Sequence, residues 1–362
     1  MKKLFYFAAA AVALAACAKN EVIPVNSGEN QEITFNVAPK TKADLQIFNT
    51  NNVFASWAYY LPKGTETNPN NWADDWAVRK NAKEYISGSP IKCSSGVWKN
   101  ESTSYYWPTD GKLTFFAYSL NKTNLELTHN GGGSYPIDCH NAEDAYGINA
   151  TIDLIENKNL DLLVAEIATD KTKNEAVYSL NGVPTLFKHK FSRVQFAVKK
   201  KENCKDATIT LKSIKFNNVA YSGHYCQYNK SGETFVKDYC KEGDPRNSMT
   251  YTTTDFEVAS SSEFVPVKEM NEIYYIYFPQ DFKKVTDPLK IATIEVKYTV
   301  KFSDNITEEF TKPLNVKDIF DSWEVGKKYT FNLIFSLDEI TWAPAVEDWT
   351  TVTAPAEGYD VK

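Results

Sequence analysis

Reactive chemistry in this 362-residue chain would have to come from a sparse set: six cysteines, four histidines and scattered carboxylates. Cys17 stands directly after an apolar run, Leu4 to Ala16, and is the first thiol the chain offers. Setting it aside leaves Cys93, Cys139, Cys204, Cys226 and Cys240, an odd set in which at least one stays unpaired. Cys226 and Cys240 bracket a short loop rich in Tyr, Lys and Gly, and an oxidising compartment would allow them to form a disulfide. His224 beside Cys226 would complete part of a zinc set, but the paired C-x-x-C knuckles of structural zinc sites are missing. A disulfide or free thiols therefore outrank a metal, and none is expected.

The histidines, His129, His140, His189 and His224, sit in no H-E-x-x-H or G-x-S-x-G context. Gly131 to Gly133 lack the Lys-Ser/Thr that a phosphate loop needs and read as a turn. Asp74-Asp75 and Glu308-Glu309 are carboxylate doublets that could be imagined in glycoside cleavage, which requires two carboxyls about 5 to 10 Å apart across a sugar. Adjacent acids more often mark a solvated surface. No catalytic residues and no cofactor are expected, and the chain does not read as an enzyme.

The elements around Cys17 give it a sharper meaning. Lys2 and Lys3 head the apolar run, whose length fits the about 7 to 15 residues of a secretory signal core and is too short to span a membrane. Leu14-Ala15-Ala16 leading into Cys17 resembles the lipobox of bacterial lipoproteins. That resemblance implies cleavage before Cys17 and its acylation, so residues 1–16 are a signal peptide and the lipid is the membrane anchor. Residues 17–31 are polar with Pro and Gly and read as a tether.

Acidic and basic residues number 46 and 40 and are spread along the chain, so no basic stripe suggests nucleic acid. Aromatic residues make up 14% and Thr is frequent, a mixture that suits an all-β fold. Glu32 to Val37 alternates as a strand, with Ile33, Phe35 and Val37 on one face. Val53, Ala55, Trp57 and Tyr59 share a face of the next. Pro62 to Asn81 is a loop in which Trp72 and Trp76 either stack on sugars or, in the plainer alternative, cover the end of a sandwich. Residues 121–159 offer little periodicity and read as long loops with short strands. Gly182-Val183-Pro184 punctuates the chain and suggests a boundary, dividing it into 32–184 and 185–362. A parity change between Ile209/Leu211 and Ile214/Phe216 predicts a bulge near Ser213. Ala292 to Phe302 alternates cleanly, as in an antiparallel sandwich with one wet face. Val316, Ile319, Phe320 and Trp323 predict one short amphipathic helix, followed by a strand from Lys328 to Phe335.

Cys17, Ile33-Thr34-Phe35 with Lys40-Thr41-Lys42-Ala43, Tyr106-Trp107-Pro108 before Leu113 to Tyr118, His189-Lys190-Phe191, Trp323 to Phe331, and Val346-Glu347-Asp348-Trp349 follow one another along the chain. Together these stretches resemble the fimbrillin family of two-domain β-sandwich pilus lipoproteins. The resemblance implies two tandem antiparallel β-sandwiches of transthyretin-like, Greek-key type with one or two short helices. It also implies a structural or adhesive subunit on the outer membrane whose partners are other fimbrial subunits, the membrane through its lipid, and a host protein or glycan. In that family a protease removes the first strand and a neighbour's segment fills the groove. Here the strand would be Ile33 to Val37, the cut would fall near Lys40 and Lys42, and the donor would lie in the tail at Ile340, Trp342, Val346 and Trp349. The family's usual arginine at the cut is missing, since none precedes Arg79. A glycan-binding surface lipoprotein is the competing expectation.

Overall fold

A computed structural model describes residues 31–37, 50–65, 70–72, 76–120, 137–154, 160–173, 182–204, 206–229, 232–238, 248–267, 275–337 and 339–349. The first half contributes β1 (Phe35–Val37), β2 (Phe54–Leu61), α1 (Trp76–Arg79), β3 (Lys83–Ser94), β4 (Val97–Asn100), β5 (Lys112–Ser119), β6 (Ile137–Asn141), β7 (Ala145–Asp153), β8 (Leu163–Ala165), β9 (Ala168–Lys171), β10 (Val183–Thr185) and β11 (Phe187–His189). The second contributes β12 (Ser192–Lys200), β13 (Thr208–Asn217), β14 (Ser222–Asn229), β15 (Gly232–Asp238), β16 (Ser248–Glu257), β17 (Val265–Pro266), β18 (Tyr275–Tyr277), β19 (Gln280–Asp281), β20 (Thr293–Lys301), β21 (Thr307–Asn315), β22 (Ser322–Trp323), β23 (Lys327–Phe335), β24 (Ile340–Trp342) and β25 (Ala345–Asp348). The fold is all-β, with α1 the one α-helix among the described residues.

Every residue of β2 is buried, and all of β5 except its first, which is why both read as near-continuous apolar runs. Their two faces serve different cores. Ala55, Trp57, Tyr59, Phe116 and Tyr118 face a core shared with β6, β7 and β14, whereas Phe54, Ala58, Tyr60, Phe115 and Ala117 face one shared with β1, β4 and β10. The nine-stranded sheet, in the order β10-β1-β4-β3-β2-β5-β8-β11 with β9 also paired to β5, thus curls over so that its first strands pack on its middle. Ala55, Trp57 and Tyr59 share a face, as expected, and the opposite face of β2 is buried as well.

The second half is a sandwich. A six-stranded sheet, β17-β12-β23-β24 with β18 also paired to β12 and β25 to β23, meets a four-stranded one, β16-β13-β20-β21, across a core of Phe196, Phe331, Ile294, Val296 and their neighbours. β20 buries alternate residues as expected, and the register of β13 shifts between Leu211 and Ser213, the bulge that the parity change demands. Pairing is not purely antiparallel: β12 runs parallel to β23, and β1 parallel to β10. The helix expected over Val316 to Trp323 is instead a 3-10 turn at Val316–Asp318 followed by β22. One turn suffices to bury Val316, Ile319 and Phe320, and Trp323 then enters from a strand.

The halves interlock. Hairpin β14–β15, though it follows β12 in the chain, completes the four-stranded sheet β15-β14-β7-β6 against the first half. β7, nine residues long in the stretch expected to be long loops with short strands, is central there, with Tyr146, Ile148, Ala150 and Ile152 buried. β11 still belongs to the nine-stranded sheet, so that sheet extends past Pro184 to His189.

Candidate functional site

Ile33, Phe35 and Val37 alternate with polar residues, so an extended backbone turns all of them to one side, and all are buried. Phe35 meets Phe54 and Phe115 edge to face at centroid distances of 5.4 and 6.0 Å. Burying the apolar side chains contributes on the order of 5 to 9 kcal/mol. The backbone of this segment is held from both sides. Thr34 accepts from the Val183 amide at 2.7 Å and β1 continues in register with Val183, Pro184 and Thr185, while Phe35 lies opposite Trp98 of β4. Further toward the amino end, Ile33 donates to the Tyr105 carbonyl and Trp107 donates to that of Gln31. β1 is therefore an interior strand whose departure would leave two backbone edges and an apolar trough.

Gly182 shapes one wall. Its φ is +83°, and a Cβ there would lie 2.8 to 2.9 Å from backbone atoms of Thr34 and Phe35. Only glycine combines that conformation with so close an approach. Glu32 pins the strand's start: Lys99 Nζ donates to Oε2 at 2.9 Å and Ser104 Oγ to Oε1 at 2.7 Å. Burial alone raises this carboxyl's pKa, but the bonds from Lys99 and Ser104 and the Lys99 charge outweigh it and hold it below its usual value.

At the other end of the chain, β24 and β25 both add antiparallel to β23, forming the edge of the second half's six-stranded sheet. The tail, named above as the donor, packs unevenly on its own half. Ile340 is buried, whereas Trp342 is 37% and Val346 53% exposed. Trp349, just beyond β25, is 2% exposed and belongs to the core shared by both halves. Its amide donates to the Gly326 carbonyl at 2.7 Å, and its ring stacks on His189 at 3.8 Å. His189 Nδ1 lies 2.8 Å from Asp161 Oδ1, both residues being buried.

Cys17, Lys40, Lys42 and Cys240 lie outside the described residues. Cys226, read above as a free thiol or a disulfide partner of Cys240, donates its thiol to the Tyr228 carbonyl at 3.1 Å. Its hairpin is already held by the β14–β15 ladder, in which Cys226 faces Thr234, and burial pushes the thiol's pKa up, away from reactivity. His224 makes its contact with Thr151, at 3.2 Å. Trp72 is fully buried against Tyr59, Phe116 and Tyr146, so it covers the end of a core rather than facing solvent. Glu309 of the second carboxylate doublet pairs with Lys297 at 2.9 Å across the β20–β21 ladder. Sequence reasoning missed Gly182 as a wall of the trough and Asp161 as the partner of His189. A glycine preceding Val-Pro-Thr was the available signal for the first; none was visible for the second.

The profile of a family described as Fimbrillin-like matches residues 41–349, a span that starts beyond β1 and ends on Trp349. Among solved structures, a fimbrial protein of Bacteroides vulgatus aligns over 89% of this chain and 100% of its own, at 16% identity and a TM-score of 0.59. A Bacteroides uniformis protein whose name refers to cell adhesion aligns over 89% and 100%, at 15% identity and a TM-score of 0.47. The tip fimbrial protein Mfa3 of Porphyromonas gingivalis aligns over 88% and 100%, at 9% identity and a TM-score of 0.35. The first likeness speaks to the fold alone. No curated protein sequence matches.

Proposed function

Since the chain belongs to the Fimbrillin-like family, we propose that it is a subunit of a cell-surface fimbria and that it assembles by strand exchange. The observation that carries this is β1: an interior strand, apolar on one face, lying in a trough between β10 and β4. Proteolysis near Lys40 and Lys42 frees it, and an extended segment of the next subunit takes its place, with backbone bonds giving strength and alternate side chains giving register. Ile340, Trp342 and Val346 share one strand parity, as Ile33, Phe35 and Val37 do, and Trp342 and Val346 have little to bury against at home. Such a contact runs head to tail and propagates into a filament. A subunit that keeps β1 would serve instead as an anchor or tip, held to the outer membrane through acylated Cys17. The glycan-binding alternative needs exposed aromatics in the Pro62 to Asn81 loop, and burial of Trp72 weighs against it.

A reversible lock tests the proposal. Glu32 and Tyr106 face each other in an antiparallel bridge, which suits a disulfide. With Glu32→Cys and Tyr106→Cys oxidised, sheared surface material should contain no filaments by electron microscopy, and reduction should restore them. Filaments that form equally with the lock closed would refute strand exchange at this trough.

A further inference from the structure

We propose that Trp349, stacked on His189, is a latch that keeps the donor segment docked on its own subunit until assembly. The inference rests on the strand-exchange proposal and names what restrains its donor. Beyond their antiparallel ladder with β23, little else holds residues 345–348. Every side chain of β25 is exposed or half-buried, and the strand forms a sheet edge. Its ion pairs, Lys327 to Asp348 and Lys328 to Glu347, are surface pairs of the kind that contributes little.

The segment is gripped at its ends. Ile340 enters the second half's core, and Trp349 enters the core shared by both halves. The second grip is itself braced. Asp161 holds the His189 imidazole, the Lys190 amide donates to the Leu162 carbonyl, and the Gly326 amide donates to the Phe191 carbonyl. The ring beneath Trp349 is thus fixed to the connection between the nine-stranded sheet and β12, which does not depend on the tail. Unstacking Trp349 would free the exposed strand from its carboxyl end, leaving the apolar face of Trp342 and Val346 available to a neighbour. Tight stacking at the end of an otherwise lightly held edge strand is the arrangement that an autoinhibitory clasp requires.

Hydrogen exchange and assembly rates on the full chain decide the matter. Trp349→Ala should speed exchange of the 345–348 amides about tenfold or more, with β20 amides unchanged. His189→Ala should act in the same direction, and Trp349→Phe should stay near wild type. Both alanine variants should also assemble faster once β1 is removed. If Trp349→Ala strips protection from β20 as well, the fold has been lost and His189→Ala alone decides. Unchanged exchange at 345–348 in His189→Ala would overturn the latch while leaving strand exchange standing. Faster exchange with slower assembly would overturn its restraining role, and faster exchange with no filaments at all would overturn strand exchange and the latch with it.

Discussion

The ring of Trp349 lies 3.8 Å from that of His189 and 16° from parallel, so the strand that closes the second half's sheet ends inside a core built mainly by the first. Hairpin β14–β15 crosses in the same sense, placing Tyr225 against residues of β7. Two sandwiches joined only by a linker would move and unfold separately. These are knitted together.

The two halves should therefore unfold in one transition. Thermal unfolding followed by tryptophan fluorescence and by far-ultraviolet circular dichroism should give coincident curves, and Tyr225→Ala should lower both midpoints together. Separate transitions would show that the shared core contributes little.

Gly182→Ala should loosen β1 specifically. The added methyl must clear backbone atoms at 2.8 to 2.9 Å in a conformation that disfavours side chains, at a cost of about 1 to 3 kcal/mol. Hydrogen exchange should rise at Phe35 to Val37 and hardly at all at β20. Unaltered protection in β1 would mean that the wall yields without strain.

Much of this trough was legible in the sequence, because alternation is a local property. Ile33, Phe35 and Val37 announce a strand with one buried face, and Ile294 to Val300 do so even more plainly. The bulge at Ser213 was legible for the same reason. What could not be read was pairing between distant segments. Gly182-Val183-Pro184 looks like punctuation and is in fact the parallel neighbour of β1. β7 alternates through Tyr146, Ile148, Ala150 and Ile152, but the intervening Gly147 and Asn149 resemble a turn, and its partner β14 arrives from the other half. Val316, Ile319 and Phe320 have helical spacing, yet a single turn satisfies it. The tail's alternation suggests a free strand, and nothing in its letters says that Trp349 is stacked on His189.

The hold on the start of β1 should depend on acid. Because the folded-state pKa of Glu32 lies below its ordinary value of 4.5, its contribution is present above that value and is lost as pH falls through the depressed one. Amide protection around Ile33 should decline over that acidic window in the native chain and not in Glu32→Gln. An identical decline in both would assign the effect to other carboxyls.

Cys17→Ser should abolish incorporation of a fatty-acid analogue and leave the protein soluble or retained as a precursor, since the proposed anchor is the lipid on that thiol. Label appearing in the mutant would contradict it.

The central claim is that the trough of one subunit accepts the tail of another, and intermolecular cysteine capture tests it most directly. Asn36 and Pro184 are opposed across β1 and β10, and both are exposed, so Pro184→Cys reports on whatever occupies the trough. In the intact chain it should capture Asn36→Cys within one molecule. After β1 is cleaved away, subunits carrying both Pro184→Cys and Glu347→Cys, the latter of opposite parity to Val346 as Asn36 is to Phe35, should give a crosslinked dimer and then longer ladders, with the junction identified by mass spectrometry. Strand exchange requires those ladders. Capture of Asn36→Cys before cleavage with no capture of Glu347→Cys, or of any other tail position, afterward would contradict it.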